Sequence, residues 1–108
     1  MPEQRLAPDY RTRDLMLARL RELRPELEAE GVQHALLFGS VARGDDVPES
    51  DVDIILDLDP ERHIGLFAFA GIQEFLEAQL GRSVDLGSMR SLRPGRHDEI
   101  LAELVEAF

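Results

Sequence analysis

Apolar residues recur along this chain with two different rhythms. Met16, Leu20, Leu23 and Leu27 stand at i, i+4, i+7 and i+11, which lines one face of an α-helix and predicts an amphipathic helix in the first segment. Pro25 has no amide hydrogen to give that helix and must kink or divide it, while Gly31 is suited to close its C-terminus. The run His34-Ala35-Leu36-Leu37-Phe38 is short, apolar and bounded by Gly39, so it predicts a buried strand. From Asp51 to Asp59 the period becomes two: Val52, Ile54, Leu56 and Leu58 share one face, and Asp51, Asp53, Ile55, Asp57 and Asp59 the other. That is a half-buried strand with an acidic face.

Pro60 ends it, and helical spacing resumes in residues 64–81. Phe69, Ile72, Leu76 and Leu80 form the stripe, Phe75 a second ridge, and Gly81 a C-cap. "SVDLGS", 83–88, reads as a third short strand. After "LRPG", Ile100, Leu101, Leu104, Val105 and Phe108 predict a final helix. The order implies an α/β (α+β) fold, a small mixed sheet with helices packed against it. Residues 12–108 are expected to form one domain, with residues 1–11 a flexible extension ahead of it.

Composition removes several function classes. The chain has 108 residues and a net charge of −10, which opposes docking on a nucleic-acid backbone, so direct DNA binding is not expected. All 12 basic residues are Arg, so a Walker-type phosphate loop has no lysine. With no cysteine there is neither a disulfide nor a thiolate metal site, and His34, His63 and His97 are too scattered to suggest zinc. No apolar stretch approaches the ~18 residues of a membrane span, and the polar start lacks the features of a secretory signal; a cytoplasmic protein is expected. The negative charge is concentrated between residues 31 and 60, where seven acids face one Arg.

The acids of that stretch need an explanation. Carboxylates at i and i+2 of a strand project from one face, and at roughly 6 Å with an effective dielectric near 20 each pair repels by about 2–3 kcal/mol. Solvent screening is one answer, and it suits Asp57 and Asp59 at the far end. A hard divalent cation is the other: Mg²⁺ takes a few carboxylates together with water and substrate phosphates. Asp51 and Asp53 would supply two of them. Asp85, flanked by the inward-facing Val84 and Leu86, points to the opposite face of its strand and is the candidate third.

Gly39 and Ser40 follow a buried strand and open a short helical turn, an arrangement of close backbone, exposed N–H groups and a hydroxyl that suits phosphate. Taken singly, Ser40 reads as a plain N-cap. Arg43 either forks onto a phosphate or pairs with Asp45 or Asp46.

The order Gly39-Ser40, ten residues, Asp51-Val52-Asp53 and a later strand acid resembles the G-S-x(10)-D-x-D signature of the DNA polymerase β-like nucleotidyltransferase superfamily. "LLFGSVARGDDVPESDVDIIL", "IGLFAFAGIQEFLEAQLGRSVDL" and "SLRPGRHDEILAEL" together resemble the minimal nucleotidyltransferase (MNT) family over residues 12–106. The resemblance implies that Asp51 and Asp53 bind two Mg²⁺ ions, that Asp85 completes the site and helps activate the attacking hydroxyl, and that Gly39 and Ser40 hold the β- and γ-phosphates of ATP. It further implies transfer of AMP to a hydroxyl of a protein partner, a tyrosine of a HEPN-type RNase toxin, for which the chain would be the antitoxin. A non-catalytic antitoxin that neutralises by binding alone is the alternative.

Overall fold

The computed structural model describes residues 8–91 and 101–108. Helix α1 (Arg11–Glu22) and helix α2 (Arg24–Ala29) meet at Leu23, with Pro25 in the first turn of α2, so the proline divides the first helical stretch as its chemistry requires. Gly31, at φ 98°, turns the chain into strand β1 (Val32–Phe38). The short helix α3 (Gly39–Arg43) follows at once, then an irregular loop, then strand β2 (Val52–Leu58). Helix α4 (Leu66–Leu80) ends at Gly81, whose φ of 72° supplies the left-handed cap, and leads to strand β3 (Val84–Ser88). A 3₁₀ turn at Met89–Ser91 comes next, and strand β4 (Val105–Glu106) lies near the C-terminus.

The four strands form one mixed sheet in the order β3-β2-β1-β4. β1 pairs antiparallel with both β2 and β4, whereas β2 and β3 are parallel, with α4 as their crossover. The alternation expected of β2 is observed. Val52, Ile54 and Leu56 are fully buried on one face, where they join Leu20, Leu27, Leu37 and Leu76 in the core. Asp53 and Asp57 are half-buried on the other face. All three long helices contribute to that single core, through Met16, Leu20, Leu27, Ile72 and Leu76 among others.

The final helix is a correction. Helical backbone is present at residues 101–103, but Val105 and Glu106 are β-strand, paired with Leu37 and Leu36; Ile100 lies outside the described residues. Ala107 N donates to Ala35 O at 2.8 Å, and Phe108 is buried in the core. A short apolar run carries no decisive period, and β1 had an unpaired edge whose N–H and C=O groups this segment satisfies.

Candidate active site

Register brings the sequence-separated residues together. Phe38 of β1 pairs with Asp53 of β2, and Asp53 pairs in turn with Asp85 of β3, so a single row across the sheet carries the end of β1 and two carboxylates. Asp51 stands just before β2, exposed. Asp85 lies on the outermost strand, also exposed, as its opposition to Val84 and Leu86 led one to expect.

Asp51 and Asp85 are close enough to act on Asp53. The Asp53 carboxyl is pushed up to about 6, first by burial, then by the charge of Asp85 and a hydrogen bond with it, and then by the charge of Asp51. Arg43 opposes the rise. A carboxyl whose proton is favoured by burial and by two neighbouring carboxyls is a place where a cation would be welcome. Among the described residues, no three His, Cys, Asp or Glu side chains are gathered tightly enough to form a metal cage. Asp51, Asp53 and Asp85 offer oxygen donors alone, a chemistry that suits Mg²⁺, which is usually held by a few carboxylates together with water and phosphate oxygens.

Gly39 is determined by this carboxylate. Its φ is 76°, and a Cβ at that position would collide with Asp53 Oδ2 and sit 3.0 Å from Asp53 Cγ. Only hydrogen fits there. Ser40 is inside the first turn of α3 while Phe38 holds the N-cap position with no side-chain cap, so Ser40 is not the plain N-cap. Its hydroxyl makes no hydrogen bond among the described residues. The first-turn N–H groups of α3 have no acceptor within the helix, and Gly39, which opens it, lies against the Asp53 side chain. Arg43 pairs with Asp45 and with Glu103, each at 3.3 Å, while Asp46 is engaged elsewhere. Half exposed, it is close enough to act on Asp53 by charge.

Arg82 escaped sequence reading. It lies between α4 and β3, and its guanidinium donates to Ser50 O at 2.6 Å and Val47 O at 3.0 Å, and meets Asp46 Oδ2 at 3.4 Å. Asp46 and Arg82 are both largely buried. One side chain thus ties the loop before β2, and with it Asp51, to the start of the strand that carries Asp85. Its partners are 32 to 36 residues upstream, so the local pattern "GRSVDL" held no signal. The other end of that loop is packed too: Gly44, at φ 81°, abuts Pro8 and Tyr10, and its carbonyl accepts from Asp9 N at 2.9 Å.

Residues 20–106 match the nucleotidyltransferase domain family. The protein adenylyltransferase MntA of Thermococcus cleftensis is 40% identical over 91 residues, covering 84% of this chain and 87% of that protein. A chain assigned as a minimal nucleotidyltransferase superposes with a TM-score of 0.72 at 27% identity, over 95% of this chain and 98% of its own length. A chain from the Shewanella oneidensis complex of a tri-AMPylated HEPN toxin with an MNT antitoxin superposes with a TM-score of 0.62 over 86% of this chain and 71% of its own; at 18% identity this likeness concerns the fold.

Proposed function

The chain belongs to the nucleotidyltransferase domain family, and from that premise we propose that it is an antitoxin that transfers AMP from ATP, with Mg²⁺, to a tyrosine hydroxyl of a HEPN-type toxin. The observation that carries this reading is the row Phe38, Asp53, Asp85, which sets two carboxylates side by side, with the close-approach Gly39 packed on Asp53 and Asp51 just before the strand. The 40% identity to an adenylyltransferase supports the choice of AMP, and the solved toxin complex supports the choice of partner.

Asp51, Asp53 and Asp85 would hold Mg²⁺, which supplies charge neutralisation at the phosphates when bound. Gly39 and Ser40 receive the triphosphate through backbone N–H groups and the free hydroxyl. Asp85, exposed on the outer strand, is reachable by a macromolecular acceptor and takes the tyrosine proton as the phenolic oxygen attacks the α-phosphorus. The bond from that phosphorus to the β-phosphate bridging oxygen breaks, and pyrophosphate leaves with the electron pair. Arg43, close enough to act on Asp53 by charge, would meet phosphate charge once released from Asp45 and Glu103.

Incubation with α-labelled ATP, Mg²⁺ and a HEPN toxin is the test. Label on the toxin that disappears in Asp51→Ala and Asp53→Ala supports transfer. Full toxin inhibition by those same variants with no label would show the non-catalytic antitoxin instead.

A further inference from the structure

The N-terminal half of α4 is apolar but not buried. The helix sends Ile72, Leu76 and Leu80 into the core, whereas of residues 66–71, with no polar side chain among them, only Phe69 is even half-covered. Leu66 is 82% exposed and Phe67 93%. Contiguous apolar surface of this kind is rare on a chain with no partner. Beside it lies a groove of about 460 Å³ between α2 and α4, floored by Ala68, Gly71, Ile72 and Phe75 and rimmed by Glu26 of α2 and Glu30 at its C-terminal end.

Gly71 supplies a separate observation. A glycine in a helix interior costs stability relative to alanine, and here a Cβ would meet nothing within 4 Å among the described residues, so their packing gives no reason for it. A missing side chain at the floor of an open groove lets another backbone approach closely. Neither Glu26 nor Glu30 has an ion-pair partner among the described residues. With a net charge of −10 and an acidic rim, a second copy of this chain would bring like charges together.

We propose that this groove and the Leu66-Phe67 ridge form the docking surface for a helix of a partner protein, one whose apolar face is flanked by Arg or Lys. The apolar face fills the groove over Gly71 and packs against Phe67, and the basic flanks meet Glu26 and Glu30. Because α4 covers the core face of the sheet while Asp53 projects from the other, a partner docked here leaves the carboxylates accessible. The surface recruits the partner and does not block the site.

Two synthetic amphipathic helices with the same leucine face, one flanked by Lys and Arg and the other by Glu, test this by calorimetry and by amide shifts of the labelled full chain. The basic peptide is expected to bind at least about tenfold tighter, with shifts centred on residues 66–75. Phe67→Ser and Ala68→Glu, both at exposed positions, should abolish binding while Mg²⁺-ATP still raises Tm. Glu26→Arg with Glu30→Arg should reverse the peptide preference. Gly71→Ala should raise Tm yet weaken the peptide severalfold, a combination that a purely structural glycine does not produce. Equal binding of both peptides, no binding, or a self-dimer that Phe67→Ser dissolves would overturn the proposal. No step of this test needs AMP transfer, so a failed transfer assay would sink the proposed reaction and leave the docking result standing.

Discussion

The two ends of β2 carry the same pattern, aspartates two residues apart, with different surroundings. At the start, Asp53 is wedged between the end of β1 and Asp85, with Asp51 just outside, and its carboxyl is raised. At the far end, Asp57 lies opposite His34, and Asp59 closes a turn by accepting from Glu61 N at 2.9 Å while its own N donates to Gly31 O at 2.8 Å. Neither meets a glycine that its carboxylate forbids from growing, nor a carboxylate on the next strand. What distinguishes the D-x-D proposed to bind metal from the one at the far end is therefore the neighbouring strands, not the spacing.

Substitution should break that comparison most sharply at Asp53. Asp53→Asn is expected to lower nucleotide transfer by about 10³-fold or more, since a metal-binding carboxylate supplies several kcal/mol of transition-state stabilisation, while Asp57→Asn should stay within about twofold. Steady-state kinetics with α-labelled ATP measure both. Equal losses would mean that the two ends are equivalent after all.

Gly39→Ala comes next. A methyl forced against Asp53 in a left-handed backbone should cost about 2–4 kcal/mol, read by urea denaturation. If the clash is with the carboxylate, pairing it with Asp53→Ala should recover part of that loss.

Arg82→Gln should cost about 1–3 kcal/mol, because it leaves Asp46 and two loop carbonyls without their donor. It should also raise the Mg²⁺ concentration needed for half-maximal transfer, as Asp51 loses its register with Asp85. Ile72→Val, destabilising by about 1 kcal/mol, is the control that should leave the Mg²⁺ requirement unchanged. Identical Mg²⁺ curves for Arg82→Gln and wild type would remove the loop tether from the account.

The smallest effect is on pH. Asp53 has a folded value of about 6, above its ordinary value of 3.8, so the folded state holds this proton more tightly than the unfolded chain. Its contribution to stability is fully present below 3.8 and is lost as pH rises through 6. Metal-free protein should therefore gain a little Tm from this group as pH falls from 7 toward 5, damped by solvent around the carboxyl. Asp53→Asn should remove that gain, and saturating Mg²⁺-ATP should suppress it.

Much of this could be seen in the chain itself. The division at Pro25, the alternation of β2, the α4 stripe and its Gly81 cap all follow from local rules of backbone and side-chain geometry, and each is found where those rules put it. The candidates Gly39-Ser40 and Asp51-Val52-Asp53 could be singled out as well, because they are short-range spacings. Tertiary structure alone decided the rest. Asp85 meets Asp53 only because β3 lies parallel to β2 in one register; a slip of one residue would turn it to the opposite face. Arg82 reaches back more than thirty residues for its partners, Val105 becomes strand by completing a sheet edge, and α4 leaves the apolar Leu66 and Phe67, which lie off its inward stripe, exposed. Pattern along a chain reports which way each side chain points from its own element; which other element stands there is a long-range choice made by packing and by the need to pair every buried backbone group.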